Sequence, residues 1–143
     1  MGKINWGRVF LCGLLTGAVW FSLLLLILAF VGRDFTMAFV AASQKSGARP
    51  LAAGPAGIAL LALLNLALAV WAMWLYAAIH PRYGPGPKTA AIAGFALWII
   101  GALADTILGG FGLLPPGVLV APVAASLPAI IVAVIVGARL YKE

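Results

Sequence analysis

Asp105 is the side chain whose chemistry most needs a setting. It is a carboxyl group inside the apolar run Thr89 to Leu114, TAAIAGFALWIIGALADTILGGFGLL. If that run crosses a bilayer, an unpaired charge near the centre costs at least about 2.5–3.5 kcal/mol, so the group must be paired, neutral or wetted. Counted from the far end of its run at about 1.5 Å per helical residue, Asp105 lies roughly 12 Å deep. The same count puts Ser22, Asn65 and Ser126, each in a different apolar run, roughly 15 Å deep. Thr106 adjoins Asp105. One level of the molecule thus receives a hydrogen-bonding group from every run. Such a layer can be interhelical glue, worth about 0.6–2 kcal/mol per bond. It can equally be a proton relay, a polar-solute site or a contact to a partner subunit. Within the membrane no basic residue is available to pair with Asp105.

Catalysis finds little material. His80 is the single histidine and Cys12 the single cysteine, and Asp34 and Asp105 are the carboxylates besides the final Glu143. No phosphate-binding loop, histidine pair or cysteine pair occurs. One histidine without a second ligand makes a poor metal site. The reading is therefore of no catalytic residues, no metal, no cofactor and no enzyme. His80 ends an apolar run, where a helix C-terminus favours positive charge. With Arg82 and Lys88 it reads as a cluster facing lipid headgroups.

The elements that position these groups follow from composition. Hydrophobic residues make up 65% of the chain and charged residues 8%, against about 25% charged in a soluble domain. A soluble protein of this size could not cover so much apolar surface; a bilayer removes the problem. Four runs are long enough to cross a hydrocarbon core that needs roughly 20 helical residues. They are residues 9–32, 55–80, 89–114 and 118–140. The fold class is all-α: one antiparallel four-helix transmembrane domain. The segment DFTMAFVAASQKS, within residues 34–46, spaces Phe35, Phe39 and Val40 at roughly helical intervals behind a capping Asp34. A short interfacial helix or an ordered loop both fit it.

Nine basic residues give a net charge of +6. They stand singly at the ends of runs rather than in one patch, which argues against nucleic acid and for orientation signals. Lys3, Arg8, Arg82, Lys88, Arg139 and Lys142 fall on one side; Arg33, Lys45 and Arg49 fall on the other. The majority marks the cytoplasmic face, so both termini are expected inside, in a bacterial inner membrane.

Helices in lipid associate through close packing, which small residues permit. Ala121, Ala125, Ala129, Ala133 and Gly137 recur every four residues in the fourth run. Gly101, Asp105 and Gly109 make a similar line in the third, and Gly13 and Gly17 in the first. Pro122 and Pro128 lie within the fourth run, where each removes a backbone donor and tends to kink a helix.

The stretch WLYAAIHPRYGPGPKTAAIAGFALW, Trp74 to Trp98, and the start NWGRV, Asn5 to Val9, resemble an uncharacterised family of small four-span bacterial inner-membrane proteins. The similarity runs over most of the chain, and the turn motif is its distinctive part. The resemblance implies four helices and an inner-membrane location, and no activity. The first span departs from it, with GAVWFSLLLL where members carry more polar groups.

These features together predict a small non-enzymatic membrane protein. It would be a structural or accessory subunit that self-associates or joins a larger membrane complex, with the lipid bilayer as its first partner. The alternative is a transporter or channel component handling protons or a small polar solute through Asp105 and Asn65.

Overall fold

A computed structural model describes residues 4–46, 54–112, 114–115 and 117–141. These residues form five α-helices and no strand: α1 Trp6–Phe30, α2 Arg33–Ser46, α3 Pro55–Tyr83, α4 Pro87–Gly110 and α5 Val120–Ala138. All but α2 are long and apolar enough to cross a membrane. The chain is thus an all-α, four-helix membrane bundle with one additional short helix.

Local chemistry sets the ends. The Asn5 side chain caps α1 by accepting from the Arg8 backbone N–H at 3.2 Å. That starts the helix at Trp6, three residues before the apolar run. α2 is helical throughout, which resolves the choice between helix and loop at residues 34–46. It is tied to α1 through Gly32, whose carbonyl accepts from both the Thr36 N–H and hydroxyl at 2.9 Å. α3 does not stop at His80; it runs through Pro81 to Tyr83. A proline in the last turn loses only one ladder bond, so the helix survives it. The break comes at Gly84 and Gly86, both at positive φ (80° and 136°), a conformation that glycine alone adopts freely. Thr89 secures this turn by donating to the Gly84 carbonyl at 2.7 Å.

α4 ends at Gly110 and α5 begins at Val120, so the link between them is longer than the Pro115-Pro116-Gly117 break suggested. Pro122 consequently falls in the first turn of α5, where no intrahelical donor is needed. Only Pro128 is a true interior proline.

The spans form a square. α1 packs on α3 and α5, and α4 packs on the same two helices from the opposite corner. Every adjacent pair is antiparallel: Gly13 meets Val70 while Gly17 meets Leu66, and Gly94 meets Ile131 while Gly109 meets Leu119. Burial is concentrated at one end. The buried residues of the spans fall within 9–17 in α1, 69–77 in α3 and 130–138 in α5, joined by Thr89, Ala90, Ala93 and Gly94 of α4. All lie on the side of the Gly84–Gly86 turn. This turn end has a core of Val9, Met73 and Val134, each fully buried. Toward the α2 end, none of the described spanning residues is fully buried.

Close backbone approach holds the turn end together. A Cβ at Gly13 would stand 2.6 Å from the Val70 Cα, and one at Gly17 would stand 2.7 Å from Leu66 Cδ2. At Gly137 it would collide with Thr16 Oγ1, with the Cys12 carbonyl 3.0 Å and Met73 Sδ 3.1 Å away. The alanine line of α5 is used only in part. Ala133 and Gly137 are buried, Ala125 and Ala129 are half-buried, and Ala121 is exposed.

These contacts predict opposite outcomes for the same substitution. Gly13→Ala and Gly137→Ala should each lower stability by about 1–3 kcal/mol through overpacking. Gly101, around which a Cβ would meet nothing within 4 Å, should accept alanine with no loss or a gain of up to about 1 kcal/mol. Reversible unfolding of the three variants in mixed micelles reads the difference; equal effects would refute the packing asymmetry.

Candidate functional site

A cavity of about 460 Å³, walled by all four spans and by Phe35 of α2, runs from the edge of the turn-end core at Thr16, Ala69 and Ile130 into the half of the bundle that lacks one. Small-molecule sites commonly enclose about 300–1,000 Å³. On α5 the wall runs from Leu119 to Val134, and on α1 from Thr16 to Leu28. At the helical rise these are roughly 22 Å and 18 Å, so the cavity is elongated along the bundle.

Its wall is mostly apolar; its polar groups are the indoles of Trp20, Trp71 and Trp98, the hydroxyls of Thr16 and Ser126, and the Asp105 carboxyl. Trp98 Nε1 donates across the α4–α5 interface to the Val123 carbonyl at 3.0 Å and to Ser126 Oγ at 3.1 Å. The Ser126 hydroxyl in turn donates to the Val123 carbonyl at 2.7 Å. Thr16 donates to the Cys12 carbonyl at 2.9 Å. The donors of Thr16, Trp98 and Ser126 are therefore committed to protein. The one carboxyl group on the wall is that of Asp105. Among the described residues no hydrogen bond or charged neighbour engages its carboxyl group. α4 ends at Gly110, so Asp105 stands roughly 8 Å inside the helix end, nearer the surface than its run of apolar sequence implied.

The cavity opens sideways. Leu68 and Trp71 of α3 and Ile100 of α4 line it, yet they are 53%, 59% and 68% exposed. Gly101 and Ala104 also line it and are exposed. The opening therefore lies between α3 and α4, on a face that meets hydrocarbon in a bilayer. Trp71 is braced there by stacking on Trp74, with ring centroids 4.7 Å apart.

The polar layer read from the sequence is only partly assembled. Asp105 and Ser126 share the cavity. Asn65 is level with Asp105, since both lie roughly 28 Å from the Gly84–Gly86 turn. Its Nδ2 donates to the carbonyl of Leu61 in its own helix at 2.9 Å, and it is not on the cavity wall. Ser22 is exposed and donates to its own Ala18 carbonyl at 2.9 Å; Thr106 is exposed and donates to Ala102 at 2.7 Å. Of the line on α4, Gly101 edges the opening and Gly109 lies beside Leu119. His80 is half-buried between rings, 5.5 Å from Tyr76 and 6.1 Å from Tyr141, whereas Arg82 and Lys88 are exposed.

Two residues of this site escaped the sequence reading. Thr16 gave no signal among so many small side chains. Trp98 stood out only as the end of the Trp74–Trp98 stretch, although an indole N–H removed from water generally needs an acceptor. Gly94, which lets α4 approach Ile131 of α5 with a notional Cβ 3.3 Å from its Cα, was likewise overlooked beside Gly101 and Gly109. Compared with known proteins, the chain matches no family model, no curated protein and no solved structure.

The α4–α5 bonds should be measurable. Trp98→Phe should cost about 0.6–2 kcal/mol, and a double-mutant cycle with Ser126→Ala should show coupling of at least about 0.5 kcal/mol. Ser22→Ala should change stability by less than about 0.5 kcal/mol. Unfolding of the set in micelles tests this, and strict additivity at Trp98 and Ser126 would contradict it.

Proposed function

We propose that this chain is a small non-enzymatic membrane protein that works by binding, as an accessory subunit that holds a guest molecule within the bilayer. The cavity beside Asp105 carries the reading: it is elongated, mostly apolar, walled by every span and open toward lipid. Its Thr16, Trp98 and Ser126 side chains grip the backbone, and its Asp105 carboxyl accepts hydrogen bonds. None forms the pairing of nucleophile and base that covalent chemistry requires. A relay through Asp105 and Asn65 is the weaker reading, because the Asn65 amide is directed at Leu61 and stands off the cavity wall.

The setting we propose is a bacterial inner membrane with both termini cytoplasmic, which puts the α2 end on the outer side. The excess of lysine and arginine at the turn end supports this orientation. The resemblance of the Trp74–Trp98 stretch to small four-span inner-membrane proteins supports the location. Cysteine labelling of Lys45→Cys and Arg82→Cys in a Cys12→Ala background checks it. An impermeant maleimide should reach position 45 and not position 82 in intact cells; the reverse pattern would invert the topology.

Purification in mild detergent followed by native mass spectrometry tests the binding role. The expected spectrum shows the chain carrying added mass, from a bound small molecule or an associated protein. A bare, strictly monomeric chain at every detergent concentration would overturn the proposal.

A further inference from the structure

We propose that the cavity takes the hydrocarbon chain of an amphiphile whose cationic amine head is met by Asp105, entering sideways between α3 and α4 from the leaflet on the α2 side. This names the guest of the binding role above and rests on it.

Three observations fix the guest's chemistry. The first is the polar inventory. Trp98, Ser126 and Thr16 spend their donors on the Val123 and Cys12 carbonyls. Among the described residues Asp105 is the only ionisable side chain on the wall, and a carboxylate facing low dielectric is best matched by a positive donor. An anionic or purely acceptor head would leave it unpaired.

The second is shape. Spread over roughly 20 Å, about 460 Å³ makes a slot roughly 5–8 Å across. A helix with its side chains needs about 10–12 Å, so a partner's helix does not enter, whereas a hydrocarbon chain does. The third is polarity along the slot. Asp105 stands near the α2 end, while Leu97, Trp98 and Ile130 line the deeper part. A head at Asp105 with its chain pointing toward the bilayer centre keeps the orientation it already has in that leaflet. Entry through Leu68, Trp71 and Gly101 then needs no passage through water.

The tryptophans provide the readout. Trp20, Trp71 and Trp98 line the cavity; Trp6 and Trp74 do not. The full chain in nanodiscs of zwitterionic lipid is titrated with a chain-brominated long-chain alkylamine, with the matched alcohol and with the matched sulfonate. The amine should quench fluorescence saturably, while the other two should quench only in proportion to their amount in the bilayer. Asp105→Asn should raise the half-saturating amine at least tenfold; it removes the one carboxylate from the span and so favours insertion. Gly101→Leu, at a position with nothing within 4 Å of a Cβ, should close the opening and abolish saturation. If the three probes saturate alike, or Asp105→Asn leaves the amine unaffected, the amine assignment is wrong though the cavity binds. If no probe saturates and Gly101→Leu alters nothing, the binding role itself falls.

Discussion

The bundle depends on three points where backbones come closer than a methyl group would allow. At Gly13 and Gly17 α3 lies directly on α1, and at Gly137 α5 settles among Thr16, Cys12 and Met73. Lipid tails offer no hydrophobic penalty for separation, so dispersion at short range must hold the helices together. Removing the Cβ on one side lets the partner backbone supply those contacts. α1 is common to all three points. The rest of the turn end assembles around it, with Met73 and Val134 filling the space that the glycines leave.

The same joint explains why the other end is open. The small residues buried against a neighbouring span lie near the turn end. Beyond them, α3 carries Leu60, Leu63, Leu64 and Leu68, all exposed, and α4 carries Ile99, Ile100, Leu103 and Ile107, also exposed. Of these, Leu68 and Ile100 edge the cavity and the others face outward. Among the described residues the hydrogen bonds of Trp98 to Val123 and Ser126 and the contact of Gly109 with Leu119 tie α4 to the start of α5. Space remains between the spans, and among the described residues no hydrogen bond engages the Asp105 carboxyl that faces it. A polar group that would be an error in a packed core becomes here the one electrostatic feature of an apolar wall.

Number and type of spans were readable from the sequence, because length and apolarity decide whether a helix can cross a bilayer. The glycines of α1 and Gly137 were readable as packing positions for the same reason that they pack. The polar layer was not. Depth along a helix can be counted, but the direction of a side chain around it cannot be counted without the partners. Ser22, Asn65 and Thr106 each turn to their own helix's carbonyls, as an isolated hydroxyl or amide in lipid readily does. The upper part of the Ala121–Gly137 line failed likewise: spacing marks one face of α5 and leaves open how far the neighbour follows it. The sideways opening had no sequence signal, since an alanine, leucine or isoleucine at its edge looks the same as one against lipid.

The Gly84–Gly86 turn gives the cavity a mechanical character. Its two edges, Leu68–Trp71 and Ile100–Ala104, belong to the two arms of one hairpin whose pivot lies near the opposite membrane face. The arms act as levers. With an arm of roughly 28 Å, each degree of rotation at the turn displaces the level of Asp105 by roughly half an ångström. The width of the opening is therefore governed from afar. The proline and glycine spacing of PGP, residues 85–87, and the Thr89 bond to Gly84 set the gauge of a slot that none of them touches.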